Sequence, residues 1–179
     1  MACRSNTFGR PLIFEKQIRE VFTDHEDAHL FANLPGAGKA LAPRLLVAFE
    51  SDRQRYHDAT EIQSFVGIAP VTKRSGKQQF VQRRWACPNF LRQTFHEFAQ
   101  HSIGQSQWAK AYYQLQRERG KGHHAAVRAL AFKWIRILFA CWKSRTPYEE
   151  SHYVAQLREG DAPLCQYLSA ASPPKIACQ

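Results

Sequence analysis

The chain has 179 residues, in which 25 Lys and Arg face 15 Asp and Glu for a net charge of +10 with eight His neutral. That length holds one compact domain with a real core, or one domain plus tails, and leaves little room for two. The positive charge is spread over loops and several segments instead of one amphipathic helix, which points to nucleic acid as the anionic partner and away from a membrane surface.

Leu12 to Phe22 reads as a helix, and Asp24 is placed to cap a second one running to Asn33. Pro35-Gly36-Ala37-Gly38 interrupts it, and Lys39 to Phe49 resumes with Ala40, Leu41, Leu45, Leu46 and Ala48 apolar. Asp58 caps a short helix through Phe65 that stops at Gly67; Ile68 to Ala69 and Gln78 to Trp85 then have strand or extended character around a Ser75-Gly76 turn. Three helices follow: Pro88 to Ser102, with proline near its first turn; Gln105 to Arg119; and His123 to Trp142. Trp108, Trp134 and Trp142 lie on the apolar stripes of the last two and read as core, whereas Trp85 lies outside them. Glu149 to Leu157 forms one more helix, and Gly160 to Gln179, with three prolines, reads as a disordered tail. The fold class is mainly α, with a short extended segment around the Ser-Gly loop. Residues 1–24 form an irregular or helical N-terminal stretch, 25–150 a domain, and 151–179 a helix and tail.

Between Val71 and His96 there is no Asp or Glu, while Lys73, Arg74, Lys77, Arg83, Arg84 and Arg92 carry positive charge. Ser75 sits inside this stretch beside Gly76, whose missing Cβ lets another backbone approach. Cations around a hydroxyl offset charge that builds on a phosphoryl group in transfer. Composition alone also allows an ordinary solvated turn here. Leu34-Pro35-Gly36-Ala37-Gly38-Lys39 has the form of a helix-hairpin-helix turn, in which free N–H groups at the following helix start meet a phosphate. The same pattern joins helices that touch no nucleic acid. Lys121, in Arg119-Gly120-Lys121-Gly122 before His123-His124, offers a further phosphate contact or a plain solvated loop.

Other matches fail on spacing. A nucleotide-binding loop ending at Gly38-Lys39 would need glycine where Asn33 stands and a hydroxyl where Ala40 stands. His96 and His101 are five apart, so they do not share the helix face that a zinc protease motif requires. Cys3, Cys87, Cys141, Cys165 and Cys178 contain no C-x-x-C pair, which argues for a reducing cytosol and against a zinc or disulfide framework. The N-terminus has no apolar signal core, and Arg128, Lys133 and Arg136 interrupt the most apolar segment, so the expectation is cytoplasmic with no membrane span.

The order of these features is more specific than any one of them. Leu34-Pro35-Gly36-Ala37-Gly38, Phe65-Val66-Gly67-Ile68-Ala69-Pro70, Ser75-Gly76-Lys77, Arg83-Arg84, Phe90-Leu91-Arg92, Arg119-Gly120-Lys121-Gly122 and the Ala125 to Trp142 helix together resemble the C-terminal domain of the bridge-RNA-guided insertion-sequence transposases of the one-ten family, over roughly Ala28 to Glu150. The resemblance implies a mostly helical domain that follows a RuvC-like nuclease domain with four metal-binding acids. It makes Ser75 the nucleophile that forms a phosphoserine link to DNA, with a structured guide RNA choosing the sites. Gly36, Gly38, Lys39, Lys73, Arg74, Gly76, Lys77, Arg83, Arg84, Arg92 and Lys121 are then the expected nucleic-acid contacts; for the basic residues this is an inference from local charge. Glu15, Glu20 and Asp24 are too few acids for a nuclease half, so the expectation is a truncated transposase with no metal site of its own. Magnesium would come only with the missing domain, and a full-length transposase or a second copy of the chain would be the protein partner. The alternative is a non-catalytic helix-hairpin-helix module that binds nucleic acid; a weaker one is a protein that only dimerises through its helices.

Overall fold

The computed structural model describes residues 9–76, 78–82, 84–160, 164, 167 and 168; at residues 9–12, 73, 79 and 81 the description is of the backbone. In chain order these residues form α1 (Gly9–Asp24), α2 (Ala28–Ala32), α3 (Gly38–Phe49), α4 (Ala59–Phe65), β1 (Val71–Ser75), β2 (Gln78–Gln82), α5 (Asn89–Gln105), α6 (Gln107–Glu118), α7 (His123–Ser144) and α8 (Glu150–Glu159). The architecture is mainly α. Helices α5 and α7 form its centre: α5 packs on α3, α6 and α7, and α7 packs on α4, α5 and α6.

Apolar residues at helical spacing build that centre. Leu91, Phe95, Phe98 and Ala99 of α5 meet Val127, Leu130, Ala131, Trp134, Ile135 and Leu138 of α7 in one core with Leu41, Leu45 and Phe49 of α3. Trp108, Trp134 and Trp142 are fully buried, and each indole N–H finds an acceptor: Tyr148 Oη at 2.6 Å, Ser102 Oγ at 2.8 Å and Glu50 O at 3.1 Å. Trp85 is 77% exposed.

Local signals place several helix ends. Asp58 accepts from the N–H groups of Thr60 and Glu61 at the start of α4, and Ser106 Oγ accepts from Ala109 N–H at the start of α6. Asp24 behaves differently from expectation. It closes α1, and Asp27 precedes α2 without capping it with its side chain. The buried Asp27 carboxylate instead receives both Nη groups of Arg53, at 2.9 and 2.5 Å, because a desolvated carboxylate needs a paired cation more than a five-residue helix needs a cap.

The extended segment is also displaced from its expected start. Ile68 and Ala69 are buried, and their N–H groups donate to Gln63 O at 3.0 and 2.9 Å, which holds them against α4 as a turn. The strand begins after them, at Val71, where β1 pairs antiparallel with β2. Past Gly160, in the stretch that reads as a disordered tail, Leu164 and Leu168 are buried in the same core and Tyr167 donates its hydroxyl to Glu118. No helix among the described residues is long and apolar enough to cross a membrane.

Replacing Asp27 with Ala leaves Arg53 half-sequestered without its carboxylate. Loss of one partner from such a buried pair costs about 3 kcal/mol. Urea unfolding of D27A should therefore show a midpoint well below that of the parent at unchanged slope.

Candidate nucleic-acid interface

Ser75 lies at the end of β1 opposite Gln78, so a two-residue loop of Gly76 and residue 77 joins the strands. Gly76 takes φ +58°, the left-handed conformation that such short hairpin loops demand. A Cβ added there would meet no atom within 4 Å, so the glycine serves the turn and not a packing contact. Arg74, Ser75 and Gly76 are all exposed. Among the described residues, no hydrogen bond engages Ser75 Oγ. Lys73 pairs with Phe80 across the hairpin by its backbone; Lys77 and Arg83 lie outside the described residues.

An isolated two-stranded hairpin is marginal in water, so its foot decides where Ser75 is held. Gly67, entering the hairpin, has φ +74°, and a Cβ on it would lie 2.2 Å from Cys87 Sγ and 2.7 Å from Cys87 Cβ. The thiol of Cys87, leaving the hairpin, therefore occupies the space that any other residue at position 67 would fill. Arg92, one turn into α5, clamps the same exit: Nη1 donates to Arg84 O at 3.4 Å and to Cys87 Sγ at 3.2 Å, and Nη2 donates to Asn89 Oδ1 at 2.5 Å. Arg92 thus has a structural task beside the electrostatic one expected of it. Arg84 is half-buried, with Nε sequestered and without a partner.

Beside this foot lies a cleft of about 560 Å³ between α5 and the first turns of α7. Its wall carries Arg92, His96, His124 and Arg128, with Asn89, Gln93 and Gln100 between them. Glu97 also lines it, but its carboxylate already accepts from Arg44 Nη1 at 2.9 Å and from Gln93 Nε2 at 2.6 Å. The cleft is therefore cationic in effect, and suited to a phosphate. Sequence reasoning singled out Arg92 and missed His96, Gln93 and Arg128 as cleft residues. The signal was the helical spacing of Arg92, His96 and Gln100, and of His124 and Arg128, four apart on one face of each helix. His101 stands exposed, away from the face that bears His96.

The turn before α3 sits elsewhere on α5. A Cβ on Gly36, whose φ is +85°, would lie 2.6 Å from Ser102 N and 2.7 Å from His101 C, and the Gly36 N–H donates to Gln105 Oε1 at 2.9 Å. Gly36 is thus a packing glycine with its donor spent. Gly38, at φ +54°, has open space around it, and Lys39 is exposed. The first bond of α3 runs from Leu41 N–H to Ala37 O, so the Gly38, Lys39 and Ala40 N–H groups stand at the helix's open end. From Arg92 to Ser102 the helix rises about 15 Å, which separates the hairpin foot from this turn. Lys121 is exposed in the α6–α7 loop, where its carbonyl accepts from Arg117 Nη1 at 3.1 Å.

A serine on a hairpin arm, a cationic cleft at the arm's foot and an open helix start are thus disposed along the same central helix. Comparison with known sequences supplies the class. Residues 28–114, which include the turn before α3, the whole hairpin and α5, match the Transposase IS116/IS110/IS902 family, a transposase domain of insertion elements. The chain is 33% identical over 147 residues to a Streptomyces coelicolor protein named as a transposase for the mini-circle IS117, covering 82% of this chain and 36% of that protein. It is 31% identical over 136 residues to the 43.6 kDa protein of insertion element IS110 from the same species, covering 75% and 33%. With the 44.8 kDa protein of IS116 from Streptomyces clavuligerus it shares 29% over 143 residues, covering 79% and 36%. The chain spans about a third of the length of these curated relatives.

The Gly67–Cys87 contact makes a direct test of the hairpin foot. Gly67→Ala combines left-handed strain of about 1–2 kcal/mol with the clash on Cys87, and lowers the urea midpoint. Adding Cys87→Gly removes the clashing atoms, so the double variant should recover the steric part and keep only the backbone strain.

Proposed function

We propose that this chain is the strand-exchange part of an insertion-sequence transposase, with Ser75 as its nucleophile. The observation that carries the reading is Ser75's position: an exposed hydroxyl at the end of β1, beside the left-handed Gly76 and Arg74, inside the stretch matched by the transposase family. In the step proposed, Ser75 Oγ loses its proton and bonds to a DNA phosphorus while the bond from phosphorus to a deoxyribose oxygen breaks, and that oxygen takes up a proton. The phosphodiester is kept as a serine ester, and attack by the hydroxyl of another strand reverses the chemistry with a new partner. Arg74 and Arg84, with Lys73, Lys77 and Arg83, would offset charge on the phosphoryl oxygens.

The remaining features serve as phosphate contacts. We read α2, its glycine turn and α3 as a helix-hairpin-helix unit in which the Gly38, Lys39 and Ala40 N–H groups meet one phosphate. The cleft at Arg92, His124 and Arg128 meets another. A separation of about 15 Å along α5 corresponds to roughly four base-pair steps of duplex. Selection of sites by a structured guide RNA belongs to the same reading.

Magnesium is implied by the resemblance through four acids of a nuclease domain. Among the described residues no group of three or more His, Cys, Asp or Glu gathers to hold a metal ion. An acidic domain acting alongside this one would supply that ion's Lewis acidity. A second reading, a binding module without catalysis, is favoured by one observation: Ser75 Oγ has no hydrogen-bond partner among the described residues to draw off its proton.

The two readings part on covalency. The chain is mixed with labelled duplex bearing element-end sequence, matched guide RNA, magnesium and an intact family member whose own serine is alanine. A denaturant-resistant adduct at this chain's mass, absent in Ser75→Ala, is expected; its absence with duplex binding intact selects the binding module. Both readings predict that log affinity falls linearly with log salt, and that Arg74→Ala and Arg84→Ala each reduce the slope by about 0.9.

A further inference from the structure

We propose that the cleft between the second half of α7, the turn at residues 146–149 and α8 is a separate nucleic-acid site, which takes an unstacked nucleotide of a single strand. The proposal rests on the reading of the chain as a nucleic-acid-binding protein, but it uses none of the residues of the arm or its foot: the two clefts share no lining residue. The cavity measures about 1120 Å³, at the upper end of small-ligand pockets, which run to ~1,000 Å³, so a base enters with its flanking phosphates.

Its walls combine tyrosine rings with two cations and one carboxylate, Glu149. Tyr112, Tyr148 and Tyr153 line it together with Lys133 and Arg136, which lie three apart on α7. Lys133 Nζ stands 4.8 Å from the Tyr112 ring centre and 5.9 Å from that of Tyr153. Neither Lys133 nor Arg136 forms an ion pair among the described residues. Glu150 does not line the cleft, and its Oε1 accepts from Ser106 Oγ and Gln107 N–H; Glu149 does line it, with Oε1 accepting from Ser151 Oγ, so two cations face one carboxylate. Burial pushes the Lys133 amine below its ordinary pKa, and Arg136 adds to the shift. An anion between the two would relieve both effects, and a phosphate is that anion.

The rings supply the base contact. Tyr148 Oη accepts from Trp108 Nε1, which leaves the hydroxyl's own hydrogen unspent in that bond. Desolvation pushes the Tyr153 phenol up to about 12, so it also stays a neutral donor at working pH. Aromatic faces beside basic side chains are how proteins hold unstacked bases without reading them, at ~1–3 kcal/mol per base. The α8 wall is seated on the core through half-buried Tyr153, Val154 and Leu157, with the Tyr153 ring 5.0 Å from that of Trp108.

The test uses the full chain and four fluorescent probes: a short single strand in DNA and in RNA form, an abasic strand of the same length and charge, and a duplex. Anisotropy should show the base-bearing strand bound at least ~10-fold tighter than the abasic one, the value for stacking one base. Tyr153→Leu and Lys133→Met should each erase that preference with duplex affinity unchanged, while Tyr153→Phe, which keeps the ring, retains it. The stronger of the DNA and RNA strands identifies the source of the nucleotide. Unchanged duplex affinity also reports that the variants fold. A preference that survives both variants, no preference in the parent, or displacement of the strand by polyglutamate as effective as by unlabelled strand each overturns this site. Loss of duplex binding in the parent would instead overturn the reading on which it rests.

Discussion

Three buried indoles impose the constraint on which the rest of the structure depends. Each tryptophan brings a large apolar body and one N–H that must not be left unpaired in the core. Trp134 satisfies its donor on Ser102 of α5, Trp108 on Tyr148 beyond α7, and Trp142 on the carbonyl of Glu50 after α3. The first joins α7 to α5, the second joins α6 to the turn after α7, and the third joins α7 to the end of α3. Ring contacts reinforce the ties: Trp108 and Trp134 lie 4.6 Å apart, and Phe98 lies 5.1 Å from Trp134. Glu50 holds its carbonyl there from a left-handed conformation, φ +58°, that lets the chain turn away from α3.

Ser102 shows how the core reaches the surface. Its hydroxyl receives the Trp134 indole and donates to Ala99 O at 2.7 Å, which fixes that turn of α5. Its backbone N–H lies so close to Gly36 that only glycine fits. The turn before α3 is therefore set by the same residue that completes the core, and its open N–H groups at Gly38 and beyond inherit that position. At the other end of α5, Arg92 sets the exit of the hairpin. One rigid helix thus spaces the two features expected to meet a phosphate.

What was legible in the sequence was local. The Asp58 cap, the proline before α5 and the apolar stripes of α6 and α7 each act within a turn or two of chain, and each stands where the residues placed it. Asp24 against Asp27 was decided by Arg53, twenty-six residues away, which no cap rule sees. The strand at Val71–Ser75 is polar and short, so alternation could not announce it; pairing with Gln78–Gln82 makes it a strand. At the candidate site, the serine, the cations and the glycines were legible as residue types. The roles of those glycines were not: Gly36 and Gly67 answer to Ser102 and Cys87, partners that only the fold brings near. The cleft beneath α8 was hidden for a related reason, since Tyr112, Tyr153 and Lys133 lie on stretches that read simply as helix, and Tyr148 on the turn between two of them.

Position and binding are coupled at the foot of the hairpin. The arm carries Ser75 out into solvent, yet two paired strands alone would not hold its hydroxyl in one precise position. The foot supplies that precision through the Cys87 thiol seated against Gly67 and the guanidinium of Arg92. Arg92 also faces the cationic cleft, where a phosphate would compete for donors now directed at Arg84 O and Asn89 Oδ1. On the proposed reading, a phosphate bound there would loosen or redirect the clamp on the arm, and occupancy of the cleft would reach the serine through a single side chain.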